Sequence, residues 1–283
     1  IRHNNLTNNK YGGILTREHS NPTVNYNDLF SNSMESNYVD IRNEVPSSYF
    51  DELNARLNYW GETTTAVMDE GGNPKNLANI HDQYDDASLG FVNYGNYLSE
   101  SGGQPSATNV TGSVLLTDAS GTEQLNFTSG STIYVQVTDG DRNTDENTQE
   151  TITATVVSET DTDGETVTLT ETGVSTGVFL GSVSSGLSLT NGDQVTVTYV
   201  DPTDDFGNEV TITDNAFYNV TLLSGEYSDD QTWTVANSPY LLTGDVDLVN
   251  GVDLTIEPGV RILFMPLSDD RSSGLNQNRT EIY

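Results

Sequence analysis

Residues 1–9, IRHNNLTNN, align with residues 24–32, VNYNDLFSN, at an offset of 23. Ile1 meets Val24, Asn4 meets Asn27, Leu6 meets Leu29 and Asn9 meets Asn32. A period near 23 with an inward aliphatic and a recurring asparagine leaves few folds open. Such a unit cannot bury its apolar face alone, so it stacks on its neighbours as a coil of short parallel strands. Each coil lays its Ile, Val or Leu on the next, and each Asn bonds a neighbouring backbone at a turn. A third, imperfect coil follows an insertion: LNARLNYWG (53–61), with Asn58 in the ladder position.

These coils, with ARLNYWG and then NIHDQYDDASLGFVNYGNYL (79–98), resemble the end of a right-handed parallel β-helix of the pectin-lyase-like class, close to NosD-type periplasmic copper-processing repeats. The resemblance covers residues 1–98 and implies a closing cap built on Ile80, Asp82, Gly90, Val92, Tyr94 and Leu98. Tyr59 stands where the family commonly has the first Trp of its Trp-Trp-Gly stretch. Polysaccharide lyases on this fold use an acidic Ca²⁺ cluster with an Arg or Lys base in a groove. Arg2, Lys10, Arg17, His3 and His19 are at hand, but no acidic cluster accompanies them in the coils, and His81-Asp82 reads as structural.

SESGGQPSAT (99–108) is a linker by composition. Alternating, β-branched runs follow between turn residues over 109–225, among them VTGSVLLT, STIYVQVT, TITATVVS, ETVTLTET and QVTVTYV. Seven or eight short strands over such a length predict an immunoglobulin-like β-sandwich. Within STIYVQVT, Ile133, Val135 and Val137 face the core while Tyr134, Gln136 and Thr138 face out. Asp163-Gly164 suits a type I′ turn between two strands. The last segment, 228–283, contains Ser238-Pro239-Tyr240 and then LTIEPGV (254–260), and resembles the opening of extracellular β-helix domains. The expectation is therefore all-β: the end of one parallel β-helix, an Ig-like sandwich, and the first coils of a second β-helix. The chain opens at Ile1 in mid-pattern without a signal peptide, which reads as a segment of something longer.

Charge narrows the partners. The chain has 42 Asp+Glu against 10 Lys+Arg, a net charge of −32, which repels nucleic acid. There is no cysteine, hence no disulfide and no thiolate metal site. No apolar run is long enough to span a membrane. Sequons at Asn5, Asn109, Asn126, Asn219 and Asn278 matter only in a glycosylating secretory route, and Thr- and Asn-rich chains produce such triplets by chance.

The best-spaced oxygen set is DGDRNTDENTQE (139–150). Asp139, Asp141, Asn143, Asp145 and Glu150 fall on positions 1, 3, 5, 7 and 12 of an EF-hand type Ca²⁺ loop. Thr144 replaces the glycine such a loop needs, and the flanks are strands, so the expectation is a calcium loop between strands and not an EF-hand; the competing reading is a solvated acidic hairpin. A second acidic turn, DPTDDFGNE (201–209), offers Asp201, Asp204, Asp205 and Asn208 as further ligands, and Glu171 can join from a neighbouring strand. Between Ser106 and Gly225 the only basic residue is Arg142, and no lysine is present to form an isopeptide staple, so metal is the staple left. This arrangement resembles Ca²⁺-binding Ig-like repeats of bacterial and archaeal surface proteins. No Ser/His/Asp set, zinc motif or phosphate-binding glycine loop occurs. The expected function is a non-enzymatic, extracellular structural protein (surface layer, filament or large adhesin) that meets copies of itself head to tail or further turns of its own chain. The alternative is an extracellular protein that binds or degrades polysaccharide, with surface glycans as partners.

Overall fold

The computed structural model describes residues 1–32, 39–103, 109–183, 186–265 and 280–282. The chain is all-β with a β-solenoid, and it forms two compact bodies. One comprises Ile1–Thr111 with Asp201–Val210; the other comprises Gly112–Val200 with Thr211–Tyr283.

In the first body the repeat becomes register. Strand β1 (Asn5–Thr7) lies parallel to β3 (Asp28–Phe30), with Leu6 beside Leu29. Strands β2 (Ile14–Arg17), β4 (Ile41–Glu44) and β6 (Ile80–His81) form a second parallel ribbon that stacks Ile14, Ile41 and Ile80. A third joins β5 (Glu52–Asn54) to β7 (Phe91–Asn93), with Leu53 beside Val92. The asparagine ladder runs through three coils. Asn4 donates from its N–H and Nδ2 to Asn27 Oδ1 (3.0 and 3.1 Å), and Asn27 donates in the same two ways to Asn58 Oδ1 (2.8 and 3.0 Å). Asn9 repeats the device on Asn32 Oδ1 (3.1 and 2.7 Å). Side-chain amides thus satisfy turn backbone that the short strands leave without ladder partners.

The sequence reading contained no helix, but α1 (Gly61–Asp69) leaves the third coil after Trp60. Its buried residues, Gly61, Thr65 and Met68, follow helical spacing, and Met68 joins Trp60, Leu77 and Ile80 in the core. At nine residues the helix owes its existence to that packing rather than to propensity. Gly61 has φ +78°, and a Cβ there would meet Phe30 Cβ at 2.6 Å. Ile80, Val92, Tyr94 and Leu98 are buried, and Asp82 accepts from the Val92 and Tyr84 N–H groups.

The segment 201–210, which in the chain connects strands Gln194–Asp201 and Val210–Tyr218, belongs to this body by its contacts. Phe206 packs against Tyr94 and Phe91, with ring centroids 5.1 and 6.1 Å apart. The sequence linker's second half, 104–108, lies outside the described residues.

The second body holds an eight-stranded sheet. Its strands are β8 (Ser113–Thr117), β9 (Asn126–Phe127), β10 (Tyr134–Thr138), β11 (Thr151–Ser158), β12 (Glu165–Glu171), β13 (Val178–Ser182), β14 (Gln194–Asp201) and β15 (Val210–Tyr218). Their order is β8-β10-β13-β12-β11-β14-β15-β9, and β9 pairs parallel to β15. Leu116, Phe127, Val135, Val156, Leu169, Phe179 and Val197 share one core, so residues from both ends of the strand order meet and the sheet curls over itself. Ile133, Val135 and Val137 are buried as the alternation predicts. The type I′ turn at Asp163-Gly164 does not form, because six residues separate β11 from β12. Asp161 shapes that longer loop by accepting from the Gly164 and Ser188 N–H groups. Two of the sequon asparagines are structural: Asn126 exchanges hydrogen bonds with the Val220 backbone, and Asn219 accepts from Ser129 and donates to Asn191. Asn278 lies outside the described residues.

The same body ends in parallel pairs. Strand β16 (Thr221–Tyr227) pairs with β18 (Tyr240–Leu248), β18 with β20 (Ile262–Phe264), and β17 (Gln231–Trp233) with β19 (Leu254–Ile256). Trp233 stacks on Tyr240 at 5.3 Å over Leu242 and Val246. Here an aspartate takes the ladder role: Asp253 N–H donates to Asp230 Oδ1 (2.9 Å), 23 residues away.

Candidate cation site in the acidic loop

Residues 139–150 connect β10 to β11, and each end is anchored differently. Asp139 turns inward and is 1% exposed. Its Oδ1 accepts from Asp141 N–H (2.9 Å), starting the single 3-10 turn Gly140–Arg142, and its Oδ2 accepts from the buried Tyr199 hydroxyl (2.6 Å). Asp145 turns outward, taking the Asn147 N–H (3.0 Å) and the Thr148 hydroxyl (3.1 Å); these bonds hold its carboxyl below the usual aspartate value.

Glu150 and Glu171 share one pattern. Glu150 Oε1 accepts from Thr144 N–H (2.8 Å), Asp145 N–H (2.6 Å) and the Thr144 hydroxyl (3.0 Å). Glu171 Oε1 accepts from Thr176 N–H (2.6 Å), Gly177 N–H (2.8 Å) and the Thr176 hydroxyl (3.2 Å). Each glutamate therefore gathers two successive amides and a hydroxyl of one loop. The two also face each other. Thr151 pairs with Thr170 at the end of the β11–β12 ladder, and the next rung is Glu171 N–H donating to Glu150 O (2.9 Å). Burial pushes the Glu171 carboxyl up, but the Gly177 and Thr176 N–H groups, the Glu150 carboxyl and the Thr176 hydroxyl outweigh it and hold the group below its ordinary value.

The second oxygens are not satisfied. Glu150 Oε2, Glu171 Oε2 and Asn143 Oδ1 are all buried without a hydrogen-bond partner. Asn143 donates from Nδ2 to Ser175 Oγ (3.2 Å), which places it against the same 172–177 loop that wraps Glu171. Directly opposed like charges destabilise a sheet, and a buried oxygen without a donor adds its desolvation cost.

The residues singled out in the sequence thus divide. Asn143, Glu150 and Glu171 border the junction of the 139–150 and 172–177 loops, and Asp139 N–H donates to Gly177 O (2.8 Å) across it. Asp145 serves its own turn. Among the described residues, no three Asp, Glu or His side chains converge as a metal cluster. Asp201 is buried and accepts from Thr203 N–H (2.9 Å). Asp204 accepts from the N–H groups of Phe206 and Asn208 (2.8 Å each). Asp205, 5% exposed, pairs with Arg56 (2.6 Å) and accepts from Asn93 Nδ2 (2.9 Å). Sequence reasoning missed Thr176-Gly177 as the amides that hold Glu171, and Arg56 as the partner of Asp205. The polar run TETGVSTG was the available signal for the first; the second had none.

No protein-family model matches the chain, and no curated protein matches it. Among the described residues no helix is long and apolar enough to cross a membrane.

Proposed function

We propose that this chain is a structural protein of the cell surface or extracellular space, part of a surface layer, filament or large adhesin. In this reading the coils of the first body are rigid spacers of pectin-lyase-like, NosD-type architecture. The eight-stranded sheet is an Ig-like sandwich stiffened by calcium, and β16–β20 are the first coils of a second β-helix. The observation that carries the reading is the Asn4–Asn27–Asn58 ladder with its stacked aliphatics. Main chain, side-chain amides and core all repeat along one direction, which suits a rod. Buried, unpartnered carboxylate oxygens in a body with almost no basic residues support calcium as its cation. Partners are copies of the same chain or further turns of its own polypeptide. Electron-microscopic imaging at matched concentrations with and without Ca²⁺ tests this: calcium-dependent rods or filaments support it, and monomers under both conditions overturn the assembly.

A second reading, binding or cleavage of an extracellular polysaccharide, is favoured by one cavity on the coils. It has a volume of about 210 Å³ and is lined by Tyr11, Ile14, Arg17, Arg42 and Glu44, with Arg17 paired to Glu44 at 2.7 Å. Binding or turnover on a panel of neutral and acidic glycans separates the two readings.

A further inference from the structure

Glu171 is 1% exposed, and half-buried Glu150 lies directly across the strand pair from it. Each has one oxygen fully used by loop amides and one buried oxygen with no donor. Among the described residues no Lys, Arg or His forms an ion pair with either. Arg142, the one basic residue between Ser106 and Gly225, lies half-buried in the 3-10 turn of the same loop. A carboxylate accepts but does not donate, so the two can satisfy one another only by sharing a proton or a cation between them. Asn143 adds a third buried oxygen without a donor, on the loop that Glu150 itself holds in place.

We infer that the Glu150–Glu171 pair, with Asn143 Oδ1, is the seat of a single Ca²⁺ ion, in place of the alternate-residue cage that the loop's spacing suggests. The inference rests on the proposal above that this body binds calcium, and assigns where. Two carboxylates balance the charge of one divalent ion. Carboxylate and amide oxygens, completed by water or main-chain carbonyls, form the flexible oxygen shell that Ca²⁺ accepts and Mg²⁺ disfavours. The ion would tie the β10–β11 connection to the β12–β13 connection, which share only amide and hydroxyl contacts otherwise.

The test is calorimetric titration of the chelator-stripped full chain with CaCl₂ and with MgCl₂. Wild type should bind calcium, with magnesium at least about ten-fold weaker. Glu150→Gln and Glu171→Gln should each weaken calcium by about 100-fold, and Asn143→Ala by about ten-fold, while Asp145→Asn leaves it unchanged. Circular dichroism checks that each variant is folded; should Glu171→Gln fail to fold, the less buried Glu150→Gln carries the test. Calcium binding that survives in the glutamine variants, or that Asp145→Asn abolishes as fully as they do, overturns the seat and leaves the calcium reading standing. A wild-type chain that takes up no calcium overturns both.

Discussion

Two acidic stretches, 139–150 and 201–209, look alike as sequence and are used in opposite ways. Both interleave Asp with Asn, Thr and Gly between strands. In the second, Asp205 finds a guanidinium and an amide, Arg56 and Asn93, from coils about 110 to 150 residues earlier, and Phe206 beside it finds an aromatic surface. Its charge is neutralised by the protein, and the segment becomes packing material. In the first, Glu150 and Glu171 meet each other and loop amides, and among the described residues no basic side chain forms an ion pair with either. The local chemistry is nearly the same; the counter-charge decides whether an acidic loop is finished or still wants a cation.

That contrast can be broken, and the largest effect should come from the finished side. Arg56→Ala leaves Asp205 buried without its counter-ion, and urea denaturation should show a loss of about 3 kcal/mol. Next, calcium at about a hundred times its dissociation constant should raise the stability of the wild type by about 2.7 kcal/mol over the chelated protein, read as a shift in the urea midpoint. Asn143→Lys would supply the missing charge from the protein itself: its midpoint in chelator should rise and its response to calcium should shrink. If that variant responds to calcium like the wild type, the counter-charge account is wrong. An uncharged reference comes from the ladder. Asn27→Ala strands the Asn4 N–H and removes the side-chain donor to Asn58 Oδ1, costing about 2 kcal/mol by the same measurement, with no dependence on calcium. The smallest effect concerns acid. Asp161 is held below its ordinary value by the Ser188 and Gly164 N–H groups. It therefore adds stability above the unfolded aspartate value, and loses it as pH falls through the lower folded value. Thermal unfolding of Asp161→Asn should accordingly fall less steeply with acid than that of the wild type.

The coils were legible because their signal is periodic and local to each turn. The alignment of Asn4, Asn27 and Asn58, and of Leu6 with Leu29, reappears as hydrogen bonds and strand register. The alternation of Ile133, Val135 and Val137 was legible for the same reason. Helix α1 was not: its three buried positions are Gly, Thr and Met, too weak an apolar stripe to read without the Trp60 and Leu77 surface it covers. At the candidate site, spacing drew the eye to Asn143 and Glu150 but grouped them with Asp139 and Asp145. Those two point elsewhere because Tyr199 and the Asn147–Thr148 turn claim them first.

By itself the sequence determined the parallel coils, the acidic excess and the absence of any cysteine staple, since periodicity and composition need no partner to act. Only the tertiary structure decided which acids are spent and which are left over. It set Arg56 against Asp205, and it brought Glu171 across from Glu150. Neither pairing is written in spacing along the chain, because charge acts through distance in space, and strand register and coil packing set that distance.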